Sequence, residues 1–135
     1  MRDKSADYFR CLIGAIPDLV WLKDADGVYL TCNQAFEDFF GARESEIVGK
    51  TDYDFVDREQ ADFFREHDMK ALAKGGPSVN EEWITYAGSG RERLVETIKT
   101  PMRDASGKLI GVLGVARDIT ERNSIRTALR ESEER

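Results

Sequence analysis

Apolar residues recur along the first segment of the chain at helical spacing. Steps of one, three and four residues place them on one side of a helix. Pro17 ends this helix because the residue before a proline resists the helical conformation. The pattern predicts an amphipathic N-terminal helix over residues 1-16, with an apolar stripe formed by Tyr8, Phe9, Leu12, Ile13 and Ile16.

Two short runs that favour β-structure follow the proline. They are LVWLK at 19–23 and VYLTC at 28–32, and between them stands Asp24-Ala25-Asp26-Gly27. This sequence is typical of a tight hairpin turn in which Gly27 can adopt a positive φ. The first two strands are therefore predicted to be antiparallel neighbours.

Helical patterns dominate the middle of the chain. Asn33 is predicted to cap a short helix that Gly41 closes. Short helical pieces are expected at 44–48 and 51–55, and a longer helix over 57–74 before the Gly-Gly-Pro stop. The first of these helices carries three phenylalanines on one side: Phe36, Phe39 and Phe40.

Three further strands are predicted near the C-terminus, as a meander with turns at AGSG and DASGK. In the last of them, LIGVLGVARDI, apolar residues occupy both alternating positions. A strand buried on both faces belongs in the middle of a sheet with cover on each side. The middle helices can cover one face, and the N-terminal helix or a partner chain is needed for the other.

The order of elements predicts the fold class. Strands at both ends with helices between them indicate an α+β fold with one sheet, in which the late strands return beside the early ones. A final segment, ERNSIRTALRESEER, carries a thin apolar stripe at Ile125, Ala128 and Leu129. It suits either a helix that pairs with its copy in a dimer or a solvated tail.

Composition and charge exclude several classes of protein. The chain has 135 residues, about one domain, with 41% hydrophobic and 34% charged residues. Its net charge of −6 argues against sequence-independent nucleic-acid binding, which needs a basic face. No apolar run approaches the roughly 20 residues that cross a bilayer. We therefore expect no nucleic-acid partner and no direct membrane insertion.

The chain contains two cysteines, Cys11 and Cys32. They are too few for a disulfide scaffold and too far apart for a zinc or redox motif. Both stand among apolar or strand-like residues, so both are expected to be buried, reduced thiols. This predicts a cytoplasmic location.

Residues that could support catalysis are scarce. There is one histidine, and the chain has no nucleophile-elbow motif, no glycine-rich phosphate loop between a strand and a helix, and no kinase signature. The many carboxylates lie mostly on polar helix faces, where solvation is their usual role. We expect the chain to be a non-catalytic domain.

Three segments carry a resemblance to a known family. They are IPDLVWLKDADGVYLTCNQAF, the ExxIVGK segment from Glu44 to Lys50, and PMRDASGKLIGVLGVARDITER. Together they resemble the PAS family over about residues 10 to 122. The resemblance implies a five-stranded antiparallel sheet with helices packed on one face and flanking N- and C-terminal helices. The corresponding division is 1-16 N-terminal helix, 17-120 PAS core and 121-135 coiled-coil-like linker helix.

The resemblance also implies a role in signal transduction. PAS domains bind a small ligand or a partner, and here the Asp118-Ile119-Thr120 segment and the linker helix would relay the change to an output domain, commonly a histidine kinase. The ends KSADYFR and LRESEER are loosely similar, which suggests a piece of a longer protein with tandem PAS domains. The expected partners are a second copy through the terminal helices and the adjacent PAS or kinase domains.

A haem- or flavin-bound sensor of redox state, gas or light is the alternative function. His67 lies in the long helix where haem-binding PAS domains carry their iron ligand, but the EHDMKAL stretch resembles the form of this helix in PAS domains without haem, which favours a surface or satisfied histidine. Flavin photosensors need a cysteine near residues 52–55, where this chain has none. We expect no cofactor, or an unknown small molecule.

A pocket between the sheet and the helices is the expected sensing device. In the penultimate strand, one face carries Glu96 and Ile98 and the other carries Arg93 and Lys99. The two cations favour the Glu96 face as the inward one, with Glu96 meeting a ligand, a water or a hydroxyl such as Tyr53 or Tyr86; a solvated place at the sheet margin is the alternative. Candidate lining residues, for which plain core packing is the alternative, are Phe55, Phe63, Phe64, Leu72, Trp83, Glu96, Ile98 and Leu113.

Overall fold

A computed structural model describes residues 4–134, except for the side chain of Ala6. The predicted terminal segments also include residues 1–3 and 135, which lie outside the described residues. The elements follow the predicted order. They are α1 (Lys4–Ala15), β1 (Leu19–Lys23), β2 (Tyr29–Cys32), α2 (Gln34–Phe40), α3 (Glu44–Ile47), a 3₁₀ turn (Asp52–Asp54), α4 (Arg58–Lys74), β3 (Ser78–Thr85), β4 (Glu92–Arg103), β5 (Leu109–Asp118) and α5 (Thr120–Glu133).

The strands form one antiparallel sheet in the order β2-β1-β5-β4-β3. The last strand, β5, occupies the middle, as its two apolar faces predicted. Its register places Gly114 opposite Trp21 on β1 and opposite Lys99 on β4. Side chains of Trp21 and Lys99 therefore flank the same point on the inner face of the sheet, the face that α2 and α4 cover.

Gly114 is required where the Trp21 ring crosses β5. A Cβ atom at residue 114 would lie 2.2 Å from a carbon of the indole ring, closer than any side chain tolerates. A glycine inside a strand is unfavourable on conformational grounds, so its use here marks a close approach. The indole ring consequently lies directly on the β5 backbone.

The predicted helix caps are confirmed. The Asn33 side chain accepts a hydrogen bond from the Phe36 amide, and Gly41 ends α2 with φ 68°. The Asn33 side-chain amide also donates to the main-chain oxygens of Ile13, Ile16 and Asp18. One buried side chain thus joins the end of α1, the start of β1 and the start of α2.

Aromatic rings fill the space between the sheet and the helices. Phe36 and Phe40 of α2 pack with their ring centroids 4.4 Å apart, and Phe55 stacks on Phe40 at 4.7 Å. All three phenylalanines of α2 are buried, as their spacing predicted. This core is confined to the inner face of the sheet.

The outer face of the sheet is only partly covered. Helix α1 lies along one end of it, where Phe9, Ile13, Leu113 and Val115 help to line an apolar groove of about 290 Å³. The remaining apolar side chains of this face and of α1 reach solvent. Those with more than a third of their surface exposed are Tyr8, Phe9, Leu12, Ile16, Val79, Trp83 and Ile98.

The two cysteines have different environments. Cys32 is buried, as expected, but Cys11 is exposed, so the prediction of burial was wrong for Cys11. The apolar residues next to Cys11 in the sequence suggested burial, but α1 covers the sheet with only part of its surface. Within residues 4–134, no helix is both long and apolar enough to cross a membrane.

Candidate functional site

A small cavity lies between the inner face of the sheet and the helices. Its volume is about 20 Å³, room for roughly one water molecule. Most of its surface is apolar, and the polar lining residues come from β1, β3 and β4. The residues that line it are Leu19, Trp21, Lys23, Tyr29, Phe36, Phe39, Phe64, Glu82, Ile84, Val95, Thr97, Lys99 and Ala116.

The predicted inward face of β4 was wrong. Val95, Thr97 and Lys99 point toward the core and are at most 2% exposed. Glu96 therefore faces outward, where it lies 3.8 Å from Arg122 and partly in solvent. The sequence alone places the cations of β4 on the solvent side. Lys99 is buried instead, because other parts of the fold provide ion-pair and hydrogen-bond partners for its ammonium.

Lys23 and Asp52 form one half of a buried ionic cluster. The ammonium of Lys23 lies 2.5 Å from Asp52 Oδ2, and neither side chain is more than 2% exposed. The hydroxyl of Tyr29 donates to the other oxygen of Asp52. The 3₁₀ turn is thereby tied to both strands of the first hairpin.

Asp68 forms the other half and joins the two lysines. Its Oδ2 lies 3.0 Å from Lys23 Nζ, and its Oδ1 lies 3.0 Å from Lys99 Nζ. The second approach is poorly directed for a hydrogen bond, so we describe it as an ion pair. Lys99 instead donates to the main-chain oxygen of Phe64, and Arg65 adds a partly exposed ion pair with Asp68.

Burial and neighbouring charges both shift the pKa values of these groups. Burial would raise the pKa of Asp68, but Lys23 and Lys99 outweigh it and hold the pKa below its usual range. Burial lowers the pKa of Lys99, against the opposing effect of Asp68. Burial raises the pKa of Tyr29 well above its usual value, with Asp52 adding to the effect. The charged forms of Asp68 and Lys99 therefore support each other.

Glu82 on β3 brings a third carboxyl to the cavity wall. It accepts a hydrogen bond from the Thr97 hydroxyl at 3.0 Å. Burial raises the pKa of Glu82, and the nearby Lys99 ammonium only partly offsets this. Burial therefore makes Glu82 easier to protonate than an ordinary exposed glutamate.

Trp21 carries a polar atom with no partner in the described part of the chain. Its indole Nε1 is buried and makes no hydrogen bond there. The ring is a wall of the cavity, and its pyrrole edge lies over Gly114. An orphaned buried donor costs free energy and is therefore uncommon in native proteins.

The candidate lining residues fall into different environments. Phe64 lines the cavity, and Phe55 packs on the edge of the core. Leu72 is half-buried, while Phe63 and Trp83 are exposed. Ile98 and Leu113 lie on the outer face with Glu96, because their register partners Val115 and Leu22 point away from the helices.

His67 lies outside the cavity lining. Its ring packs against Phe63 with the centroids 4.4 Å apart, on the partly exposed side of α4. Burial, followed by Lys99 and Lys70, lowers its pKa. Among residues 4–134, no group of three His, Cys, Asp or Glu side chains is placed to hold a metal ion.

The Asp118-Ile119-Thr120 segment is fastened to β4 at the start of α5. The Asp118 carboxylate lies 2.6 Å from Arg93 Nε, and the main-chain N–H of Ile119 donates to the main-chain oxygen of Leu94. The Thr120 hydroxyl accepts from the Leu94 amide at 2.8 Å. Ile119 is buried, so the junction is anchored by packing as well as by hydrogen bonds.

Sequence reasoning missed most of the cavity wall. Lys23 ends the apolar strand β1 and Lys99 stands inside β4, and a lysine in such a strand was the available signal. Asp52 and Asp68 gave a weaker signal, since each stands among many other acidic residues. The pairing of these four groups required the fold.

Comparisons with known proteins agree with this architecture. A family model described as "PAS fold" matches residues 13–124. The chain is 32% identical over 127 residues to the aerobic respiration control sensor protein ArcB of Escherichia coli, covering 94% of this chain and 16% of ArcB. It is 32% identical over 113 residues to the methanogenesis regulatory histidine kinase FilI of Methanothrix harundinacea, covering 84% and 12%.

A solved structure of a single domain has the same fold. The PAS domain of BvgS from Bordetella pertussis superimposes with a TM-score of 0.72 at 29% identity, covering 98% of both chains. The chain spans only a small part of the ArcB and FilI proteins. The chain belongs to the PAS family and is a PAS sensory domain of the kind found in sensor histidine kinases.

Proposed function

We propose that this domain senses a small molecule in its inner cavity and relays the change through Asp118-Ile119-Thr120 and α5 to an output domain. The output domain is a histidine kinase by analogy with FilI. A cytoplasmic location follows from the same proposal and fits the two free thiols.

One strand carries the proposal, because β4 touches both the cavity and the exit helix. Its inner face contributes Thr97 and Lys99 to the cavity wall. A few residues earlier, Arg93 pairs with Asp118, and Leu94 exchanges hydrogen bonds with Thr120. A displacement of β4 by a ligand would therefore reach the first turn of α5 through direct contacts.

The relay is tested in the full-length parent protein by changing Asp118→Asn and Thr120→Val. Each removes one fastening between β4 and α5, so we expect the output activity to change several-fold. The domain stays folded, because the core is untouched. Glu59→Gln on the exposed part of α4 is the control with a similar chemical change. Unchanged output in both relay variants, at normal protein levels, contradicts the proposal.

We also propose that the domain pairs with a second copy through its terminal helices. Tyr8 and Leu12 of α1 are one helical turn apart, as are Ile125 and Leu129 of α5, and all four are more than half exposed, so each helix presents an apolar pair to a partner. Native mass spectrometry should give twice the chain mass, and the variant Leu12→Lys with Leu129→Lys should give the monomer. A monomer mass for the unchanged chain contradicts this proposal.

A further inference from the structure

The cavity wall contains hydrogen-bond donors that the protein does not use. An ammonium has three N–H groups, and Lys23 uses two of them to donate hydrogen bonds to Asp52 and Asp68. Lys99 donates one N–H to the main-chain oxygen of Phe64, and a second N–H lies beside Asp68 in the ion pair. Within residues 4–134 each lysine therefore keeps at least one N–H group, and the Trp21 N–H has no partner there.

The carboxylates of the site offer few free acceptors to the cavity. The carboxylates of Asp52 and Asp68 lie behind the lysines and do not contribute to the cavity wall. Glu82 reaches the wall, but its carboxyl accepts from Thr97 and its pKa is raised by burial. A bound molecule would therefore find more free hydrogen-bond donors than free acceptors.

Charge in and around the cavity is close to balanced. The cations are Lys23, Lys99 and the half-buried Arg65, and the carboxyl groups are Asp52, Asp68 and Glu82. A further ion would enter an apolar, buried space without a counter-charge of its own, which is costly. An uncharged molecule avoids that cost.

The aromatic lining of the cavity favours a flat molecule. Phe36, Phe39 and Phe64 share the wall with the Trp21 ring, and aromatic faces pack well against planar groups. A volume of about 20 Å³ accommodates roughly one water molecule, so a ring must widen the cavity to enter. The acceptor oxygen of that ring must then accept the hydrogen bonds that a water molecule would accept from the same donors.

We propose that the inner cavity selects a small, uncharged, planar molecule with a carbonyl-type acceptor oxygen, which the Trp21 N–H and the spare lysine N–H groups bind. This inference rests on the proposed ligand-sensing function and names its ligand class. Because such a molecule must widen the cavity, its entry shifts the walls contributed by α4 and β4, the strand that reaches Asp118.

The test uses four one-ring probes that differ in a single polar group. Acetophenone carries a neutral acceptor, benzoate a charged acceptor, benzylamine a charged donor, and toluene no polar atom. Binding is followed by two-dimensional NMR of the ¹⁵N-labelled chain, which has two tryptophans. The buried Trp21 indole N–H reports on the cavity, and the exposed Trp83 indole N–H is the internal reference.

Acetophenone should bind most tightly, about fivefold better than toluene, which corresponds to one net hydrogen bond. It should shift the Trp21 indole signal downfield and leave that of Trp83 in place. Trp21→Phe removes a donor that has no protein partner in the described structure, so the variant should fold and show a smaller preference for acetophenone over toluene, the lysine N–H groups being unchanged. Trp83→Phe is the matched control and should keep the preference.

The outcomes separate the two proposals. If the rings bind in the cavity but toluene or benzylamine matches acetophenone, the ligand class is wrong while ligand sensing stands. If benzoate binds best, the site takes anions and the inference of an uncharged ligand is overturned. If no probe shifts any signal from the cavity wall, the cavity admits no ring, and both ligand sensing and the ligand class are overturned.

Discussion

The two faces of the sheet differ in how completely they are buried. On the inner face, even the lysines Lys23 and Lys99 are at most 2% exposed, and they are held by carboxylates. On the outer face, Trp83 is 56% and Val79 is 58% exposed, although both are apolar. Polarity alone therefore does not decide which face is covered in this domain.

The difference follows from what packs on each face. Helices α2 and α4 bring aromatic rings and Asp68 to the inner face, so both apolar and charged side chains find partners there. The outer face meets α1 at one end and the first turn of α5 beside β4, where Arg122 lies near Glu96. We conclude that the inner face maintains the fold, while the outer face and the terminal helices are available to other chains.

The largest expected effect comes from breaking the ionic cluster of the inner face. Asp68→Ala leaves two buried ammoniums short of a counter-charge and should lower the free energy of unfolding by about 3–5 kcal/mol. Urea denaturation measures this. Glu66→Ala on the same helix breaks only an exposed pair with Lys70 and should cost at most about 0.5 kcal/mol. Equal effects in the two variants would show that the cluster is open to solvent.

An isoleucine pair on neighbouring strands sharpens the comparison between the faces. Ile84 points inward and is 3% exposed, whereas Ile98 points outward and is 38% exposed. Ile84→Ala should cost about 2–5 kcal/mol in unfolding free energy because it leaves a cavity in a packed core. Ile98→Ala should cost about 1–1.5 kcal/mol, in proportion to its smaller burial. A cost for Ile98→Ala as large as that for Ile84→Ala would mean that a second copy buries the outer face in solution.

The smallest expected effect is a pH dependence at Glu82. Its pKa is raised by burial, so ionisation of Glu82 costs folding free energy as the pH rises from the ordinary glutamate pKa toward the folded-state value. Glu82→Gln removes this titration. The stability of the unchanged chain relative to the variant should therefore improve as the pH falls through the folded-state pKa of Glu82 toward the ordinary glutamate pKa, measured by urea midpoints.

Glu81→Gln supplies the control for this titration. Glu81 is the neighbouring residue on β3 but faces outward near Arg122. Asp68, whose pKa is lowered and whose contribution is lost at low pH, is common to all three proteins and cancels in the comparison. A difference between the unchanged chain and Glu82→Gln that does not vary with pH would place Glu82 in solvent.

Much of the fold follows from local features of the sequence. Asn33, Gly41 and the hairpin at Asp24–Gly27 act through hydrogen bonds and backbone angles within a few residues, so their positions predict the ends of elements. The two apolar faces of β5 predict its central place, because only a covered strand can be apolar on both sides. These are short-range or pattern-based constraints, which a sequence displays directly.

The tertiary structure alone decided which side of β4 faces the core. The sequence favoured the side without cations, yet Lys99 is buried because Asp68 and the Phe64 oxygen, both far away in the chain, reach its ammonium. The cost of burying a charge depends on its partners, and partners are known only once the helices are packed on the sheet. The PAS fold could therefore be predicted from the sequence, while the polar wall of its cavity could not.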